Sequence, residues 1–531
     1  KFEPIRPSSV MLRMKVASGL LLLAFLVGFS HAIDVKSGDD VVGTLLVGGD
    51  GVLPGIILIA ADGMSEDLWM MEQAKVMSTA DTGAHVMILN VKGTKASTGT
   101  GFDMYSNEEL SAAVEKGLEA FGALEAVDAT KLGVVGYGMG GNAVLAAAAM
   151  GIEFHAGVAY TPFTAKIATF AADKTVTPTL LIMPDYGSIA MLAKIEANVG
   201  ANAKTVFEVF MQYDTKTWFN VKGNANYKES QAGRALQQTA SFVHAVWTKV
   251  FMSKGTVDPT ATAKFTPETF SYMDGTTSLP GMIVRDPTLT NAHAVLVIPA
   301  WTGFDAYAVA RLHYLAELGY VAMSANIYGL PIGDSIEDMS LRIAETSKWR
   351  QEGNETKGLA FTTRINAARD FIVKKDYVKD ASAIGFCFGG TGVYNAYRFD
   401  SDMKVMASVH GDMLKTRDFK TLGSNTFKGY LAMFSGMSDA GESGDVLVAH
   451  LGDISKFSGK WELTRYSNTF HGYSSWTAES YNPWAEGRTF QSFARVLSGK
   501  DMLTMGSSGA SSTGASLLLA AAAALVTLAM A

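Results

Sequence analysis

One cysteine, Cys387, stands in a chain of 531 residues. That excludes an intrachain disulfide and any cysteine-built zinc site. Charge is also scarce. Only 18% of residues are charged, 44 basic against 51 acidic, for a net charge of −7. No basic stripe stands out, which excludes nucleic acid as the main partner. Neither terminal apolar block is long enough to cross a bilayer core of about 30 Å comfortably. What is present is bulk: 48% hydrophobic residues and a mean hydropathy of +0.15, part of it concentrated in those terminal blocks. At roughly 100–200 residues per domain the length predicts about two to four domains, each able to bury a core without staples.

The ends read as addresses. Residues 1–32 comprise ten residues upstream of Met11, a basic stretch with Arg13 and Lys15, a short apolar run Leu20–Val27, and small residues at Ser30 and Ala32. This is the pattern of a secretory signal peptide cut after Ala32. Residues 501–531 combine a small, polar spacer (506–516) with an apolar tail, Leu517–Ala531. That order matches a GPI-attachment signal, with Ser507 or Ser508 as the attachment residue. Asn354-Glu355-Thr356 is a glycosylation sequon and fits the same route. The expected location is the extracellular face of the cell surface, on a lipid anchor.

The body shows one design twice. Gly55–Ile59 and Val295–Pro299 are continuous apolar runs, and each precedes a helix-like stretch and a second apolar run, His85–Leu89 and Gly319–Met323. Strand–turn–helix segments follow at Leu132–Gly141 and Ala383–Gly390, then apolar runs at Thr179–Met183 and Gly429–Phe434. Continuous apolar strands alternating with helices predict mostly parallel sheets covered on both faces. Two tandem α/β domains are therefore expected, at 36–253 and 287–500. Residues 254–286 join them and hold a candidate edge strand at 265–272.

The chemistry concentrates in the second copy. Gly385-Phe-Cys-Phe-Gly389 is a nucleophile-elbow pattern with cysteine as the nucleophile. Glycines two residues before and after let the backbone pass closely where a Cβ would clash. The turn aims the Phe388 N–H at a developing oxyanion, and the loop after the first strand offers a second donor from the Trp301 or Thr302 backbone. Downstream, Phe434–Asp439 is an apolar strand leading to an acid, and Phe470-His-Gly-Tyr473 places a histidine before the last helix. Cys387, Asp439 and His471 thus appear in the order nucleophile, acid, base. Each alone has a plain structural reading, and Glu442 and Asp445 compete with Asp439. His410-Gly411 ends a strand and reads as structural.

These segments resemble the dienelactone hydrolase family, an α/β-hydrolase branch with a Cys-His-Asp triad. The matching pieces are Ile298–Gly303, Leu315–Ala322, Ile327–Gly329, Gly385–Gly390, Ser435–Asp439 and Phe470–Tyr473. The resemblance implies hydrolysis of a small carboxylic ester or lactone through an acyl-thioester on Cys387, with no metal and no organic cofactor. Two departures matter. Ala300 occupies the place of the family's glutamate beside the cysteine, so thiol activation falls to His471. Asn326 replaces the aspartate of the family's Asp-x-Tyr-Gly pattern.

The first copy keeps the scaffold pattern and loses the chemistry. Gly136-Tyr-Gly-Met-Gly140 puts Gly138 at the nucleophile position. Matching the apolar runs puts Ser188 at the acid and Trp218 at the base, and an indole cannot serve as a general base. Residues 36–253 are expected to be a non-catalytic copy that covers the second domain, binds a ligand in an emptied cleft, or mediates assembly with a second copy or a surface partner. The other reading of the whole chain is a non-catalytic surface protein built on a reused hydrolase fold.

Overall fold

The computed structural model describes residues 32–37, 40–46, 51–60, 68–79, 84–89, 105–162, 177–185, 192, 195–197, 206–249, 264–350, 358–412, 429–442, 444–455 and 459–498. The signal peptide, Asn354, Ser188, Ser507 and Ser508 lie outside the described residues.

The buried apolar runs are strands. In the first half these are β1 (Ala32–Ser37), β2 (Asp40–Leu46), β3 (Leu53–Ile59), β4 (His85–Leu89), β5 (Val127–Tyr137), β6 (Ala156–Tyr160), β7 (Thr179–Pro184) and β8 (Phe207–Gln212). In the second they are β9 (Glu268–Asp274), β10 (Thr277–Val284), β11 (Ala292–Ile298), β12 (Val321–Ser324), β13 (Val378–Phe386), β14 (Val405–Val409), β15 (Tyr430–Gly436) and β16 (Lys460–Tyr466). Between them run α1 (Leu68–Thr79), α2 (Asn107–Gly122), α3 (Met139–Met150), α4 (Glu229–Thr248), α5 (Ala306–Glu317), α6 (Met339–Arg350), α7 (Leu359–Ile372), α8 (Phe388–Arg398), α9 (Gly444–Ser455) and α10 (Pro483–Leu497).

The strand order is β1-β2-β4-β3-β5-β6-β7-β8 in one half and β9-β10-β12-β11-β13-β14-β15-β16 in the other, the same order twice. Parallel pairing dominates, with helices on both faces and one apolar layer on each face running through both halves. The segment read as a connection contains a hairpin: β9 and β10 pair antiparallel from Glu268–Ile283 to Asp274–Thr277 and form the outer edge of the second half. Its strands alternate exposed and buried residues, as an edge with one wet face requires.

The two halves meet at their last strands. β8 and β16 pair antiparallel, with Phe210 opposite Thr464, so that sixteen strands form one continuous sheet among the described residues. The junction is pseudo-twofold. Ser467 N–H donates to the Phe207 carbonyl, and Tyr213 N–H donates to the Trp461 carbonyl. Arg488 on α10 makes a two-pronged ion pair with Glu208 on β8 (2.9 and 3.1 Å), and Arg234 on α4 makes one with Glu462 on β16 (2.7 and 2.8 Å). Arg488 and Arg234 stand 254 residues apart, and so do Glu462 and Glu208. Each half therefore gives the other the same tie, the reciprocity of an isologous dimer interface.

Candidate active site

Cys387 sits between β13 and α8 at φ 54°, ψ −113°, a strained conformation for a residue with a Cβ. The neighbouring glycines permit the turn. A Cβ on Gly385 would run into the Gly389 carbonyl, and one on Gly389 into the carbonyls of Ile298 and Pro299. The second approach brings the loop after β11 against the elbow, with a turn closed by Gly303 N–H donating to the Ala300 carbonyl (3.1 Å). Phe388 opens α8, where backbone N–H groups have no acceptor within the helix. Phe388 follows Cys387 directly, and the loop that carries Trp301 begins against the elbow at Gly389. An aromatic wall backs them: Tyr328 stacks on Phe388, Phe388 stacks on Phe361, and the Tyr328 hydroxyl donates to the Trp301 carbonyl (3.2 Å).

Asp439 follows β15 and His471 follows β16, two adjacent strands. The His471 ring bridges the other two residues, with Nδ1 2.8 Å from Asp439 Oδ2 and Nε2 3.0 Å from Cys387 Sγ. Asp439 is buried, while His471 keeps an exposed edge. Burial of the ring opposes its charge. The hydrogen bonds to Asp439 and Cys387, together with their negative charge, outweigh that and push the imidazole up to about 11. The sign follows from linkage: the proton is held through neutral pH, and this contribution fades as pH rises toward that value.

Of the competitors, Glu442 is fully buried behind Asp439, and its N–H donates to the Asp439 carbonyl (3.1 Å). Burial first, then the Asp439 carboxylate, push it well above the usual carboxylate range. Asp445 lies in α9, and its side chain is outside the described residues.

His410 does more than cap a strand. The Cys387 N–H is shared between the Val409 carbonyl (3.0 Å) and His410 Nδ1 (3.1 Å). Since Nδ1 accepts, the ring proton is on Nε2, which faces Ser474 Oγ at 2.8 Å. Burial, followed by the His471 and Arg311 charges, keeps His410 well below the ordinary imidazole range, hence neutral. It clamps the elbow to the loop that carries His471. The sequence gives no sign of this beyond a histidine at a strand end, because the clamp depends on φ 41° at His410 and on contacts 23 and 64 residues away.

A second acid–histidine–hydroxyl set also occurs. His293 Nδ1 bonds Asp380, and its Nε2 lies 2.8 Å from Ser382 Oγ. Ser382 is fully buried within β13, and its oxygen accepts the Val405 N–H (3.0 Å). No reactant reaches that oxygen, so this set is a clasp between strands.

In the first half Gly138 repeats the elbow conformation, φ 57°, ψ −112°. The match of Trp218 to His471 needs correction by one residue. Val221 N–H donates to the Trp218 carbonyl as Ser475 N–H donates to the Gly472 carbonyl, and both Trp218 (φ 71°) and Gly472 (φ 78°) are left-handed. Thr217 therefore occupies the base position. Aligning on Tyr213 and Tyr466 misplaces the turn, because the turn's hydrogen bonds repeat at 254 residues rather than 253. The Trp218 indole lies against this elbow: a Cβ on Gly138 would run into it.

A mostly parallel sheet covered on both faces, with a strained residue at a strand–helix elbow, defines a protein of the α/β-hydrolase class. The chain belongs to the dienelactone hydrolase family, whose model matches residues 90–247 and 279–499, one match in each half. Similar solved structures include m3DLH (23% identity, TM-score 0.40) and a dienelactone-hydrolase-like promiscuous phosphotriesterase from metagenomic libraries (20%, 0.39). The putative dienelactone hydrolase from Klebsiella pneumoniae subsp. pneumoniae MGH 78578 is similar at 15% and 0.38. Each of the three matches 44% of this chain and 98% of its own. No curated protein matches the chain.

Proposed function

We propose that the second half hydrolyses a small carboxylic ester or lactone through Cys387, His471 and Asp439, and that the first half takes no part in bond making. One observation carries the reading: His471 bridges the thiol and the buried acid at hydrogen-bond distance on both sides. With its proton held by His471, the cysteine acts as thiolate. Sγ bonds the carbonyl carbon, and the Phe388 N–H and the loop at Trp301 receive the oxyanion. As the C–O bond breaks, the proton on His471 Nε2 passes to the leaving oxygen, leaving an acyl-thioester. The neutral imidazole then takes a proton from water, the resulting hydroxide adds to the acyl carbon, and the C–S bond breaks to restore thiolate and imidazolium. Ala300 supplies no carboxylate beside the sulfur, so His471 alone manages the thiol's proton.

Alkylation tests this reading without knowledge of the substrate. Iodoacetamide is expected to modify Cys387 in folded protein at about pH 6, where an ordinary thiol of pKa about 8.5 is almost wholly protonated. His471→Ala should slow that reaction by about 100-fold. A thiol that stays inert at about pH 6 in the wild type would favour the binding-protein reading instead.

The cell-surface address belongs to the same proposal and is carried by the terminal sequences alone. Release of the protein from cells by a phosphatidylinositol-specific phospholipase C is the expected result; retention on the membrane would count against a GPI lipid.

A further inference from the structure

One ion pair across the β8–β16 junction has no mirror image among the described residues. Arg465 lies on β16, wholly buried, on the face opposite Glu462. Its guanidinium Nε bonds a carboxylate oxygen of Glu196, a first-half residue, and Nη2 bonds the other at 3.0 Å. The remaining arm, Nη1, donates to Ser435 Oγ at 2.5 Å. By the sequence offset that relates Glu208 to Glu462, the first-half counterpart of Arg465 is Met211, which has no charge. This link therefore runs in one direction, from the half without a cysteine to the half with one.

Its destination is the back of the candidate active site. Ser435 is in the last turn of β15, and the Asp439 N–H donates to the carbonyl of the next residue, Gly436 (3.2 Å). Glu442, three residues beyond Asp439, carries a buried carboxyl with no hydrogen-bond partner among the described residues. Burial raises that carboxyl, and Asp439, Arg465 and His471 all act on it electrostatically. Among the described residues, the buried or nearly buried charged groups behind His471 include one cation, Arg465, and three carboxyls: Glu196, Glu442 and Asp439. Tyr394 on α8 adds a buried hydroxyl that feels the same charges. A buried guanidinium demands a carboxylate partner. Glu196 meets that demand. Without it, Asp439 is the charged group left to Arg465, and a pull toward Arg465 would draw that charge from His471.

We propose that Glu196 is a positioning residue for the active site of the other half, holding Arg465 against Ser435 so that Asp439 stays committed to His471. The non-catalytic half is then a fixed partner that completes the charge arrangement behind the site. This inference rests on the reading of Cys387, His471 and Asp439 as the reacting set.

The test uses the full-length protein and the rate of Cys387 alkylation by iodoacetamide as a function of pH, with thermal melting in parallel. Glu196→Gln is expected to slow alkylation at about pH 6 by about tenfold, because a His471 that shares Asp439 with Arg465 holds its proton less firmly. Glu196→Asp keeps the charge and should stay within about threefold of wild type. Glu196→Gln/Arg465→Met removes cation and anion together and should recover most of the wild-type rate. If Glu196→Gln folds poorly, the last two variants still decide: a slow double variant would overturn the role of Arg465. Glu196→Gln protein with a wild-type pH profile would overturn the inference while leaving the triad reading intact. Slow alkylation of the wild type itself would instead sink the triad reading.

Discussion

Cys387→Ala is expected to lower hydrolysis of p-nitrophenyl acetate by at least about 1,000-fold in steady-state assays, with the melting temperature changed by only a few degrees. The size of the loss follows from the absence of a substitute nucleophile among the described residues. The first half offers Gly138 at the matching elbow, and the Trp218 indole lies where a nucleophile's side chain would project. Ser382 has a histidine and an acid but is sealed inside β13. The fold should tolerate the change, since alanine and cysteine carry the same Cβ at φ 54° and the Cys387 N–H keeps both acceptors, the Val409 carbonyl and His410 Nδ1. Cys387→Ser should lose nearly as much activity, because His471 is arranged to hold the proton of a thiol and a hydroxyl gives it up far less readily. Full activity in Cys387→Ala would refute the assignment of the chemistry to the second half.

The second large effect concerns stability. Arg488→Met is expected to destabilise the protein by about 3–5 kcal/mol, seen as a drop in the denaturation midpoint. Arg488 and Glu208 are each about 1% exposed, and their two parallel hydrogen bonds cross the junction between the halves. Methionine fills much of the volume but leaves Glu208 as a buried, unpaired carboxylate. Arg488→Met/Glu208→Leu removes both charges and should regain most of the loss, because two well-packed apolar residues replace the pair at little net cost. The mirror pair, Arg234 with Glu462, should behave alike. If Arg488→Met unfolds at the wild-type midpoint, the junction is not held by these ties.

Much of this was legible in the sequence. The glycine spacing at 385–389 and 136–140 identified both elbows, because only glycine survives the carbonyl contacts found there. Apolar runs located the central strands since those are buried on both faces, and the positions of Asp439 and His471 followed from strand ends in chain order. What was not legible depends on distant partners. β8 reads Phe-Glu-Val-Phe-Met-Gln, and Glu208 looks like a solvent-facing residue until Arg488, 280 residues away, covers it. Glu196 and Arg465 are separated by 269 residues and lie in different copies. Matching Tyr213 to Tyr466 shifts Trp218 by one residue, because the hydrogen bonds make Ser467, not Tyr466, the counterpart of Tyr213. His410 looked structural since nothing local reveals that its ring reaches the cysteine amide.

The central claim is that an acyl group passes through Cys387. Rapid mixing with p-nitrophenyl acetate, an acid quench and peptide mass analysis test it most directly. An acetyl group on the peptide carrying Cys387, appearing with the first burst of p-nitrophenol and absent from Cys387→Ala, is the predicted result. A burst in the wild type with no acetyl group on Cys387 would contradict it.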